Sequence, residues 1–156
     1  MAKKYTKMEW CCIQKKGIKL VTPNEILGRS YLDNAEEDLL GMQSNTFKVQ
    51  NSSAYNACYN SFYSILQKVG IKCEIHDCTF EFFSLIPDFT KEQINLVSVL
   101  KKNNLEIEQC LKKPKPVNPQ PVEEFVSKSK QVFESLSPDK IRLIRQEVIS
   151  AKKHKS

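Results

Sequence analysis

Apolar residues recur along this chain at spacings of three and four, in blocks separated by proline, glycine and short polar runs. That period predicts helices almost throughout. In "TPNEILGRSYLDNAEEDLLGM", Ile26, Leu27, Ser30, Tyr31, Ala35, Leu39 and Met42 share one face while Glu36, Glu37 and Asp38 point away, which predicts a helix over about 22–43. Thr22 is positioned to cap it, Pro23 fits the first turn, and Glu25 completes a capping box. "NTFKVQN" reads as a connector. Beyond it, Ala54, Ala57, Cys58, Ser61, Phe62, Ile65, Leu66 and Val69 form a stripe that stops at Gly70. The small members of that stripe let a neighbouring helix come close, so this is the expected central helix.

"HDCTFEFFSLI" predicts a shorter helix ended before Pro87. Thr90 and Gln93 form a second capping box ahead of a helix through "INLVSVLKKNNLEIEQCLKK", with loosening expected at Asn103–Asn104. "PKPVNPQP" predicts an extended crossing. Val122, Phe125, Val126, Ser129, Val132, Phe133 and Leu136 then line one face of a helix. Ser137 and Pro138 open a last, basic-ended one carrying Ile141, Ile144, Val148 and Ile149. The expected architecture is an all-α, up-and-down bundle of about five or six helices. Residues 1–20 form a basic N-terminal extension, 21–136 the helical domain, and 137–156 a C-terminal helix and basic tail.

Composition narrows the class. The 156 residues are 40 % hydrophobic and 27 % charged, as in one ordinary globular domain. No apolar run approaches the roughly 20 residues of a membrane span. "MAKKYTKMEWCCIQKKG" lacks the continuous apolar stretch of a secretory signal, so a cytoplasmic protein with no membrane partner is expected. The net charge of +6 is uneven: residues 1–20 carry +5, residues 150–156 carry +3, and the middle is −2. Such ends either hold nucleic acid weakly or are solvated and loose. The six cysteines, at 11, 12, 58, 73, 78 and 110, include an adjacent pair and one on an apolar helix face. That is a poor disulfide framework, and reduced thiols are expected.

Candidate chemistry is sparse. No glycine-rich phosphate loop or dinucleotide fingerprint is present, and no cofactor is implied. "CEIHDC" puts Cys73, His76, Asp77 and Cys78 close together but lacks the second ligand pair of a structural zinc site, so no metal is assigned. A cysteine nucleophile would need a base, and His76 is the one candidate inside the domain, since His154 lies in the tail. His76 starts a helix six residues after Gly70 and either caps it or lines a polar pocket between helices. Tyr55, Tyr59 and Tyr63, with Asn56 beside them, read as packing residues with hydroxyls at a wet rim. The competing reading is a face that stacks bases, with the basic tails to hold the nucleic acid; elsewhere, Lys101 or Lys102 suits a phosphate, and Lys72 is a further candidate beside His76.

"AYNACY", then "GIKCEIH", then "FEFF" resemble the HEPN superfamily of small helical proteins, in particular the stand-alone prokaryotic members often found with minimal nucleotidyltransferases. Ala54, Tyr55, Ala57 and Tyr59 match that pattern, as do Leu66 and Gly70, His76 six residues on, and Phe83 seven beyond that. The likeness spans residues 22–136. Ser53 stands where the family has arginine, and Asn56 replaces its second tyrosine. The ribonucleases of the family carry an arginine four to six residues before a histidine, so that one shuttles a proton while the other stabilises phosphate charge. None of Arg29, Arg142 and Arg145 stands in that relation to a histidine. The resemblance therefore implies a non-catalytic binding partner, a homodimer, in a toxin–antitoxin, phage-defence or nucleotidyltransferase-associated system. Its partners would be a minimal nucleotidyltransferase or a cognate toxin or antitoxin. The alternatives are a divergent ribonuclease using His76 with Lys72 or Lys102, and an RNA- or nucleotide-binding module.

Overall fold

The computed structural model describes residues 4–153, so Lys3, His154 and Lys155 of the basic tails lie outside the described residues. Element order is α1 (Lys7–Ile13), β1 (Lys19–Leu20), α2 (Glu25–Gly41), α3 (Phe47–Val69), β2 (Ile71–Lys72) and α4 (His76–Phe80), which runs into a 3₁₀ turn at Glu81–Leu85. Then come α5 (Lys91–Glu108), α6 (Pro119–Ser135) and α7 (Pro138–Lys153). The one sheet among the described residues is the two-residue antiparallel ribbon β1–β2, with Lys19 opposite Lys72 and Leu20 opposite Ile71, so the fold is an all-α bundle.

Helix α3 is the centre. Ala54, Ala57, Cys58, Phe62, Ile65, Leu66 and Val69 are fully buried, and α2, α5, α6 and α7 all pack against it. Its small residues allow the close approach that the sequence predicts. α2 answers with Gly28, where a Cβ would stand 2.6 Å from Cε2 of Phe133 and 2.9 Å from the Ser64 carbonyl oxygen. At the far end Gly70 takes φ 91°, the left-handed conformation of a helix stop. The open carbonyls there are gathered by one side chain of α7: Arg145 Nη1 donates to the carbonyl oxygens of Val21 (2.8 Å), Gly70 (2.9 Å) and Val69 (3.2 Å).

Local signals are realised where no distant partner competes. Thr90 and Gln93 form the full capping box of α5, and the Ser137 hydroxyl accepts from Lys140 N. Four expectations are corrected. First, α2 begins at Glu25 with Asn24, not Thr22, as its cap; Asn24 Oδ1 accepts from Leu27 N at 2.9 Å. Backbone bonds from Val21 N to Gly70 O and from Asn24 N to Gln67 O hold that segment extended along the end of α3, which delays the helix. Second, "NTFKVQN" is not a connector: α3 already starts at Phe47, and Asn51 is buried. Third, α5 passes Asn103–Asn104 without a break, while the last prolines of "PKPVNPQP" form the first turn of α6 behind Asn118.

The fourth correction concerns the N-terminal segment and its cysteines. Residues 7–20 are folded into the body, with Cys11, Cys12 and Ile18 buried, rather than loose and solvated. Cys11 is joined to Cys78 by a disulfide across 67 residues, with a Cα–Cα distance of 5.6 Å. The β1–β2 ribbon and the bond from Glu74 N to Lys16 O lay the chain leaving α1 beside the chain entering α4, which brings the two thiols together. Cys12, Cys58, Cys73 and Cys110 remain thiols.

Candidate functional site

The tyrosines of α3 face the segment 73–80, and each hydroxyl meets a partner there. Tyr55 Oη lies 2.7 Å from Nδ1 of His76. Tyr59 Oη lies 3.4 Å from Thr79 Oγ1, and Tyr63 Oη accepts from Cys73 N at 3.1 Å. The imidazole of His76 stacks on Tyr59 at 4.0 Å with 19° between planes. Tyr59 stacks in turn on Tyr63 at 5.5 Å, and Tyr31 of α2 meets Tyr63 edge-on at 4.9 Å. Phe80 closes the other side, edge-on to both Tyr55 and Tyr59. Spacing by four places the three tyrosines on one face of α3, and the turn at Gly70 folds 71–80 back over them.

Proton positions follow from burial. Desolvation raises Tyr55 well above the ordinary phenol value, and pushes Tyr59 up to about 12, so both stay protonated. His76 is lowered, first by partial burial and then by the Lys101 ammonium, with Asp77 acting in the opposite sense. Neutral imidazole and protonated phenol share one proton in the Tyr55 Oη–His76 Nδ1 bond: the phenol donates when the ring proton is on Nε2, and accepts when it is on Nδ1. Asp77 is ion-paired with Lys101 of α5, and that hydrogen bond holds its carboxyl below the usual range. Asp77 and Lys101 also line a cleft of about 230 Å³ floored by Phe83, Ile94 and Val97.

The expected residues thus separate. Tyr55, Tyr59, His76 and Lys101 come together. Asn56 is exposed on α3, Lys72 lies in the ribbon opposite Lys19, and Lys102 points out along α5 toward Glu106 at 3.9 Å. None of these three is bonded to the histidine cluster. Asp77, which the sequence offered only as a metal ligand, is the residue that fastens the cluster to α5, and Thr79 is the one that meets Tyr59. A lysine on the helix after a His-Asp pair is the only sequence trace of the first contact. Among the described residues no group of three or more His, Cys, Asp or Glu side chains is placed to hold a metal ion.

His76 is expected to titrate below 6.5, and Lys101→Gln should move it back up, because that change removes a positive charge and frees Asp77. The histidine ring signals in a proton NMR titration report both. The sign for stability follows. As pH falls, the unfolded chain's imidazole takes up its proton before the folded one does. Stability contributed by His76 is therefore complete above 6.5 and declines on acidification through the interval between the two values. A His76 titration at or above 6.5 would contradict this environment.

An all-α bundle is the class that the fold defines. No protein-family model, curated protein or solved structure matches this chain.

Proposed function

We propose that the protein is a non-catalytic, HEPN-like helical module that acts by binding a partner in a toxin–antitoxin, phage-defence or nucleotidyltransferase-associated system. The observation that carries this reading is that the His76 cluster spends its reactive groups on itself. Nδ1 of the imidazole is taken up by its bond with Tyr55 Oη, and the ring is stacked on Tyr59. The Asp77 carboxylate is matched by Lys101. No arginine joins them: Arg29 pairs with Glu25 and Glu134, Arg142 with Asp139, and Arg145 with three carbonyls. A centre whose imidazole Nδ1, carboxylate and lysine are already paired, and that no arginine joins, gives little help to RNA cleavage, whereas it pins the short α4 to α3 and α5. A homodimer and a cytoplasmic setting belong to the same proposal. Disulfides are unusual in that compartment, but Cys11 and Cys78 are both sealed from solvent, so a reductant reaches their bond only when α1 lifts from α4.

One observation favours weak nucleic-acid binding as a second reading: α1, which carries Lys7, packs on α7, which ends in Lys152 and Lys153, so both basic segments belong to one packed pair of helices. The base-stacking version of that reading loses support, because Tyr55 and Tyr63 are buried and the tyrosine hydroxyls are engaged.

Purified protein incubated with RNA tests both readings. The expected result is intact RNA with the native protein and with His76→Ala alike. Cleavage by the native protein that His76→Ala abolishes would overturn the non-catalytic reading. Retention of RNA that fades with added salt would support the second.

A further inference from the structure

Along α5 runs a groove that the histidine cluster does not use. Its floor is Leu96 and Val99 on one side and Pro121 of α6 on the other, and these three residues are shared by two adjoining clefts of about 520 and 320 Å³. Val99 is 45 % exposed at the middle. The wall formed by residues 115–117 is fixed from behind by α3: Asn51 Nδ2 donates to Lys115 O at 2.8 Å, and Gln50 Oε1 accepts from Val117 N at 3.3 Å. The groove is therefore built, not a gap beside a loose strand.

Its charges are divided by end. Glu92 and Glu124 flank one cleft, and Lys112, Lys113 and Lys115 flank the other. Among the described residues none of the five is in an ion pair. An apolar strip that is acidic at one end and basic at the other is complementary to itself when turned by a two-fold axis through its middle.

The register agrees. Glu92 lies seven residues before Val99, about 10 Å at helical rise. Lys112 Nζ is bonded to Asn103 Oδ1 at 2.7 Å, which places it at the level four residues after Val99, about 6 Å. With the axis at Val99, the ammonium of one copy and the carboxylate of the other stand about 4 Å apart along α5, within the reach of a lysine side chain.

We propose that this groove is the surface through which two copies of the protein associate, α5 against α5 in antiparallel fashion. The inference rests on the homodimer named above and supplies its interface. Leu96, Val99 and Pro121 form the apolar centre, and two symmetry-related sets of Glu–Lys contacts form the ends.

Light scattering behind size-exclusion chromatography, on the full chain, tests it with two charge-reversed variants. One carries Glu92→Lys and Glu124→Lys, so both ends of its groove are basic; the other carries Lys112→Glu, Lys113→Glu and Lys115→Glu, so both ends are acidic. The expected result is a native dimer, a dissociation constant raised by about a hundredfold in each variant alone, and a heterodimer when the two are mixed. Glu92, Glu124, Lys113 and Lys115 are exposed and Lys112 is half-buried, and circular dichroism checks that the helices persist. A native dimer that both variants leave intact overturns this interface while the homodimer stands. A native protein that stays monomeric across the accessible concentrations overturns both. Variants that dissociate yet fail to pair on mixing overturn the antiparallel register.

Discussion

Replacing Phe62 by alanine lowers the free energy of unfolding by about 3–5 kcal/mol, the range for deleting a fully buried phenylalanine. Phe62 is 0 % exposed, and its ring lies within a cluster of rings drawn from several parts of the chain. It lies 4.3 Å from Phe83 in the 3₁₀ turn, 5.5 Å from Phe89 ahead of α5, and 6.0 Å from Phe80 at the end of α4. Phe89 passes the cluster on to Phe125 of α6 at 5.0 Å. Loss of the ring leaves a void bounded by other stiff rings, which collapse into it poorly, so the cost belongs at the upper end of the range. Phe62→Leu refills part of that volume and should cost markedly less. Urea titrations followed by circular dichroism measure both variants. A loss under about 1 kcal/mol for the alanine variant, the ordinary size for a substitution away from a core, would show that the ring cluster is not the keystone of the bundle.

Opening the Cys11–Cys78 bond comes next in size. In the chain-entropy description, a cross-link spanning 67 residues stabilises the fold by about 4 kcal/mol through restriction of the unfolded chain. The effect is also local. α1 has only seven residues, too few to persist as an isolated helix, and α4 has five. The bond fastens each to the other, beside the carboxyl group of Asp77 and the ring of His76. The chain's one tryptophan, Trp10, sits next to Cys11 in α1, with the Lys7 ammonium 4.4 Å from its ring centroid. Its fluorescence therefore reports directly on α1. The expected result is a lower urea midpoint for the native protein in reductant, with the tryptophan change preceding the loss of helix. The double variant Cys11→Ala, Cys78→Ala should match the reduced protein and ignore reductant. Equal midpoints for the native protein with and without reductant would rule out a stabilising bond.

How far the sequence foretold this depended on distance along the chain. The Gly70 stop, the Thr90–Gln93 box and the Ser137–Pro138 start are each settled within four or five residues, and each is found as the local pattern predicts. Thr22 was the cap that the local pattern offered, and the start was moved to Asn24 by backbone bonds to Gln67 and Gly70, more than forty residues away. The start of α3 was hidden because its first turn is mostly exposed and carries no side-chain cap. The same rule divides the site. The tyrosine face was legible as a helical repeat. The Tyr55–His76 bond spans 21 residues and the Asp77–Lys101 pair 24, and no spacing rule reaches across a turn, a ribbon and a change of helix. The disulfide, longer still, was misjudged for the same reason: adjacent thiols say nothing about a partner that the ribbon brings in from another part of the fold.

The bridging guanidinium of Arg145 has a bearing on how the protein is made. Chains leave the ribosome from the N-terminus, so the carbonyls of Val21, Val69 and Gly70 emerge long before the residue that gathers them. Until α7 is released, the exit end of α3 and the strap before α2 stay open to water and to proteases. The latch is thus added after every element it holds, and a chain arrested ahead of Arg145 leaves those three carbonyls without the side chain that gathers them.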